Sequence, residues 1–252
     1  MKNTRGLMPK FCANLTYLFQ EIPFMERFTA AKEAGFDAVE VLEPYDVNAQ
    51  DVVNEMARYE LQMALISSPP PNYTGGERGW AAVPDLQQRF QRDFKRALRY
   101  AKTLGASHVQ VAPGVATGDA AHAVFVENLR WAAAEAPKQI LTIKPVAGDD
   151  FLSGFDLARE VLAAVGADNV RLQFSVYEAA RLQGDPITVW KDVADLVAHV
   201  QVAQLPDETE PDKGEIDYPA FFAMLDADGY DGWVSGAYHP KITTQAGLAW
   251  VS

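Results

Sequence analysis

Residues 199–234 read HVQVAQLPDETEPDKGEIDYPAFFAMLDADGYDGWV. The first five form a short apolar run of the kind found in a strand buried on both faces. A polar loop follows over Ala203 to Asp217. Tyr218 to Ala227 then carries an amphipathic helical pattern that ends near Gly229, a residue suited to stopping a helix. The segment closes on a second strand, GWVSG, from Gly232. Strand, loop, helix and strand in that order make one unit of an alternating α/β fold.

The same alternation runs through the rest of the chain. KFCANL from Lys10, AVEVL from Ala38, QMALIS from Gln62, HVQVA from His108, QILTIK from Gln139 and VRLQFS from Val170 bring the strand candidates to eight. Helical stretches lie between them at Phe24 to Ala34, Leu86 to Leu104, Val124 to Ala136 and Phe155 to Val165, with Gly35, Gly105, Pro137 and Gly166 at or beyond their ends. Eight such units without a break in composition predict a single (β/α)8 TIM barrel over residues 10–252, preceded by a tail over 1–9. A doubly wound open sheet is the competing fold, but no Gly-rich dinucleotide turn follows the first strand. In a barrel, the long loops Ser67 to Asp85, Pro145 to Gly154 and Ala203 to Asp217 gather at the catalytic end. The charges of the last loop read most simply as a solvated acidic turn.

The composition excludes some partners. A net charge of -12 repels nucleic acid phosphates and anionic membrane surfaces. No run approaches the length of about 20 apolar residues that spans a bilayer, and the basic start lacks the apolar stretch of a secretory signal. A single cysteine, Cys12, excludes an internal disulfide and suits a cytoplasmic location. A homo-oligomer is compatible with these features.

Several strings together resemble the hydroxypyruvate isomerase family of xylose-isomerase-like barrels: FCANLTYLF, AAKEAGFDAVEVLEPYD, GGERGWAAVPD, VENLRWAA, the segment from His199 and the closing TTQAGLAWV. The likeness runs from about Phe11 to the C-terminus, and EPDKGEIDYP and DGYDGWV are its most specific parts. It implies interconversion of a small 2-keto acid with its aldehyde isomer, or of related sugar acids. It also implies a divalent metal such as Mg or Mn that stabilises an enediolate, and two glutamates that ligate the metal and shuttle the proton.

Set beside that pattern, the chain departs at the strand ends. Lys144 stands where the resemblance implies a glutamate after strand five, and Ala237 where it implies the second glutamate after strand eight. Ser175 replaces an aspartate, Glu178 a histidine, Gln204 an aspartate and Gln110 a histidine, while Gln201 is kept. Such a donor set is too poor in anionic oxygen for a divalent cation, and the lysine adds a competing positive charge. The expectation is a site without metal or other cofactor.

The remaining groups still suggest a pocket for a small anionic keto acid or sugar acid. Lys144, with Glu178 or Glu40 moving protons, would form its reactive core. Asn14, Arg78, Gln110, Ser175, Gln201, Ala237 and His239 would line it. For Arg78 this means gripping a carboxylate. The plainer reading of Lys144 is a structural cation neutralised by Glu178. Plainer readings also make Arg78 a loop brace, and His108 and His199 residues of the far, stabilising end of the barrel. Tyr17, Tyr73 and Trp80 suit a pocket wall or ordinary packing. The first expectation is therefore a binder with weak or no isomerase activity. The alternative is a metal-independent isomerase or epimerase, or a lysine-dependent carbonyl enzyme.

Overall fold

The computed structural model of the chain describes residues 9–68 and 79–251. Its eight parallel strands are β1 (Lys10–Asn14), β2 (Ala38–Glu40), β3 (Gln62–Ser68), β4 (His108–Val111), β5 (Ile140–Ile143), β6 (Val170–Ser175), β7 (Val197–Val202) and β8 (Trp233–Gly236). They pair in sequence order and close into a barrel where Lys10 to Ala13 of β1 lie beside Trp233 to Gly236 of β8. All eight strand candidates are present, and the open-sheet alternative is excluded by this closure. Of the tail expected over 1–9, only Pro9 is among the described residues.

The helices follow from local signals. α1 (Glu26–Glu33), α3 (Gln87–Leu104), α5 (Phe155–Val165) and α8 (Tyr218–Ala227) fall where the periodicity places them. α3 stops because Gly105 takes a left-handed conformation (φ 66°) and turns its N–H back to Ala101 O. α4 (Gly118–Glu135) begins earlier than expected. α2 (Ala49–Arg58), α6 (Val176–Gln183) and α7 (Pro186–Val193) are additional to the sequence reading. Their caps are legible in retrospect. Asn48 accepts from Gln50 N at 2.9 Å, and Asp185 precedes a proline at the first helical position of α7. α6 follows β6 with no intervening loop, so no punctuation separates strand from helix.

Outside the strands, aromatic side chains fill the space beneath the helices. Phe174 of β6 packs against Phe155 at 5.4 Å, Trp190 at 5.4 Å and Phe221 at 6.0 Å between ring centroids. Each of these rings is almost wholly removed from water, which stabilises the assembly by roughly 1.5–3 kcal/mol per side chain.

Inside the barrel the side chains are largely polar. Thr142 Oγ1 donates to Gln173 Oε1 at 2.9 Å, and Gln173 Nε2 donates to Gln110 Oε1 at 3.3 Å. Ser67 Oγ reaches the same Gln110 oxygen at 3.3 Å. The histidine expected to open β7 is in fact its third residue: His199 lies fully buried inside the barrel, with its ring 5.5 Å from that of His108. Cys12 is buried against Ala38 and Ala64, as a small apolar residue would be.

His108 Nδ1 lies 3.0 Å from Ala64 O, and the ring is almost sealed from water. Burial, then the neighbouring His199, lowers its pKa from 6.5 to about 4, against the pull of the Ala64 carbonyl. The unfolded chain therefore binds more protons than the folded one between those two values. His108 contributes stability that is complete above pH 6.5 and is lost as pH falls towards 4. The size of that contribution is about 3 kcal/mol. Urea unfolding of wild type and His108→Gln across this window is expected to show a shallower acid loss in the variant.

Candidate functional site

Four hydrogen bonds organise the catalytic end of the barrel. Glu40, the last residue of β2, is fully buried. Asn14 Nδ2 donates to its Oε1 at 2.9 Å, and Gln201 Nε2 donates to the same oxygen at 2.5 Å. His199 Nε2 donates to Oε2 at 2.8 Å. Lys144 Nζ in turn donates to Gln201 Oε1 at 3.3 Å. These bonds join β2 to β1, its neighbour, and to β7 across the barrel. Through Gln201 they extend to the residue that follows β5. A buried carboxylate needs such donors, because the loss of hydration is otherwise severe.

The arrangement bears on several expectations. Both Glu40 oxygens are engaged by neighbouring side chains, and the residue has no exposure to water. Asn14 is committed as well, because its Oδ1 accepts from Thr16 N at 2.9 Å. Glu178 does not neutralise Lys144. Its carboxylate lies 3.6 Å from Arg181 Nη1 and accepts from Ala147 N at 2.9 Å. Ser175 caps α6 by accepting from Glu178 N at 3.2 Å, so its hydroxyl oxygen serves the backbone. Gln110 belongs to the interior ladder of β4 and β6.

Ala237 follows β8, and its N–H donates to Val202 O at 3.2 Å. Exposed His239 sets its ring edge-on to Tyr17 at 5.0 Å. Trp80 is buried under the Arg89 guanidinium, which lies 3.7 Å from its ring centroid. Arg78 and Tyr73 lie outside the described residues.

In the loop after β7, Asp207, Asp212, Glu215 and Asp217 are exposed, as expected of a solvated acidic turn, but two of its acids are not. Glu210 is buried and accepts from Lys241 N at 3.0 Å. Glu208 is half-buried, and its acid group is raised by burial and lowered by Lys144 and His239. Glu178 and Arg181 also act on it. Lys144, Glu178, Glu208 and His239 thus face one mouth, from the segments after β5, β6, β7 and β8. Sequence reasoning placed this loop on the reactive face but missed Glu208. The available signal was its position directly after a barrel strand.

Among the described residues, no three or more His, Cys, Asp or Glu side chains gather into a group that could hold a metal ion. No described helix is long and apolar enough to cross a membrane.

Removing the Glu40 carboxylate would leave three buried donors without an acceptor. Glu40→Ala is expected to cost about 3–5 kcal/mol. For a chain of this size that lowers Tm by about 10 °C, and differential scanning calorimetry would measure the shift.

Residues 28–252 match the family model described as xylose isomerase-like TIM barrel. A 2-oxo-tetronate isomerase of Cupriavidus necator is 37% identical over 97% of this chain and 98% of its own length. The hydroxypyruvate isomerase of Escherichia coli is 34% identical over 97% of this chain and 98% of its own. A crystal structure described as an AP endonuclease of family 2 from Brucella melitensis superposes with a TM-score of 0.93 at 37% identity, covering 96% of this chain and 98% of that one. With the closed barrel and its order of elements, these matches make the chain a member of the xylose isomerase-like TIM barrel family, related to the hydroxypyruvate and 2-oxo-tetronate isomerases.

Proposed function

We propose that this barrel binds a small anionic keto acid or sugar acid at the mouth containing Lys144, without a resident metal and with weak or no isomerisation by the family's metal route. The ligand class follows from the relatives, whose names specify hydroxypyruvate and 2-oxo-tetronate. One observation carries the reading. The half-buried Lys144 ammonium has one hydrogen-bond partner among the described residues, the neutral amide oxygen of Gln201, and no described carboxylate within ion-pair reach. A positive charge that is neither neutralised nor fully hydrated favours an anion.

The donor set supports the metal-free part. Hard divalent cations take about six oxygen ligands, with enough negative charge to offset dehydration. Here Glu40 is consumed by three donors, Ser175 caps a helix, Glu178 is held by Arg181, and Lys144 occupies the amide oxygen of Gln201. These residues do not fit a resident dication. In this reading the protein acts in the cytoplasm, as its one buried thiol suits, and nucleic acid and membranes are not partners.

Titration calorimetry with hydroxypyruvate tests the proposal. Wild type is expected to bind, and Lys144→Met to bind about 10–100-fold more weakly, the loss of one charge-assisted hydrogen bond. Added manganese should leave the affinity unchanged. Robust manganese-stimulated isomerisation by the purified protein would overturn the metal-free reading.

The same lightly partnered amine favours a second reading, in which Lys144 polarises or covalently captures the keto carbon. Borohydride reduction in the presence of a keto acid would then label Lys144. An unlabelled protein, with full activity in Lys144→Met, would remove this reading.

A further inference from the structure

The loop over Ala203 to Asp217 is built to hold one carboxylate in place. Its anchor is Gln204, almost wholly buried. The Gln204 amide oxygen accepts from Leu205 N at 3.0 Å and Ile216 N at 2.9 Å, and its nitrogen donates to Asp212 O at 3.0 Å and Ile216 O at 3.1 Å. Gly214 lies so close that a Cβ there would sit 2.3 Å from Gln204 Cδ, so a larger residue would displace the anchor. Gln204 and Thr209 also exchange backbone hydrogen bonds at 2.8 and 3.2 Å. Tyr177 Oη donates to Pro206 O at 3.1 Å, and His239 N donates to Glu208 O at 2.8 Å.

Within this frame Glu208 adopts a left-handed backbone (φ 54°), a conformation that disfavours a residue with a long side chain. The fold keeps it there with its carboxylate half-buried, and no described residue supplies that carboxylate with a hydrogen bond or an ion pair. Glu178, the other acid at the mouth, is already engaged by Arg181 and Ala147 N. Among the described residues, Lys144 and Glu208 are therefore charged groups of the mouth without an ion-pair partner. They have opposite sign, and they sense each other without touching.

We infer that Glu208 is the specificity-determining residue of this mouth, accepting a hydrogen bond from a hydroxyl group of the bound acid while Lys144 holds its anionic or keto oxygen. The inference rests on the keto-acid reading above and adds to it the feature that the ligand must carry, a hydroxyl close to the carbonyl. A hydroxyl can donate to a carboxylate, whereas a methyl group or a keto oxygen cannot. A site that buries an acceptor for a hydroxyl rejects the analogue lacking it, because the acceptor is then desolvated without a partner. The partial burial that raises the Glu208 acid group also removes some of its competing water.

The test is titration calorimetry of wild type, Glu208→Gly and Glu208→Gln with hydroxypyruvate and with pyruvate, which differ by that hydroxyl alone. Glycine is accepted at the left-handed position and should leave the melting temperature no lower. Wild type is expected to prefer hydroxypyruvate by at least about tenfold. Glu208→Gly should reduce the preference to within about twofold with pyruvate affinity maintained. Glu208→Gln, which keeps an acceptor oxygen, should retain part of it. Equal binding of the two acids by wild type, or an unchanged preference in Glu208→Gly, overturns the inference and leaves the keto-acid reading standing. Should Glu208→Gly fail to fold, an unchanged preference in Glu208→Gln overturns it. Absence of binding of either acid to wild type overturns both.

Discussion

A buried carboxylate sets the geometry of this barrel's reactive end. Glu40 sits at the tip of a strand of three residues with no access to water, so its charge is tolerable only with donors on both oxygens. Asn14, Gln201 and His199 supply them from the neighbouring strand and from the opposite side of the barrel. The requirement orients Gln201: with its nitrogen turned to Glu40, its oxygen faces Lys144. Lys144, at the mouth, is thus linked through Gln201 to a buried acid on another strand.

The two surfaces of the sheet use different physics. The outer surface packs aromatic rings against helices, where Phe174, Trp190 and Phe221 exclude water without directional demands. The inner surface is a ladder of amides, hydroxyls and imidazoles whose partners must be met one by one. Directional bonding inside and non-directional packing outside together position the strand ends beneath their loops. The loop after β7 is organised in the same directional way, since Gln204 satisfies four of its backbone groups around Glu208.

Much of this is legible in the sequence. Every strand showed as a short apolar run, and α5 and α8 showed from their periodicity and terminal glycines. α6 was hidden because it continues from β6 without a turn, and α7 because its signature is only an aspartate followed by a proline. Among site residues, Lys144 and Gln201 stood out by position and do meet. The pairing of Glu178 was misjudged, because Arg181 lies one helical turn away on α6 and is nearer than a residue on another strand end. Glu208 does not stand out because, in the string DETEPD, a half-buried acid looks like the exposed Asp207 and Asp212 beside it.

The sequence by itself determined the barrel, its order of strands and helices, and its family. Those properties rest on periodicity and residue type, which are local and survive in a linear string. Only the tertiary structure decided which charges are satisfied: Glu40 by three donors, Glu178 by arginine, Glu210 by a backbone amide, and Lys144, among the described residues, by an amide oxygen. Charge satisfaction depends on distances between residues far apart in the chain, such as Glu40 and Gln201, 161 positions apart. It exists only once the barrel has closed and water has been removed from one side of each group.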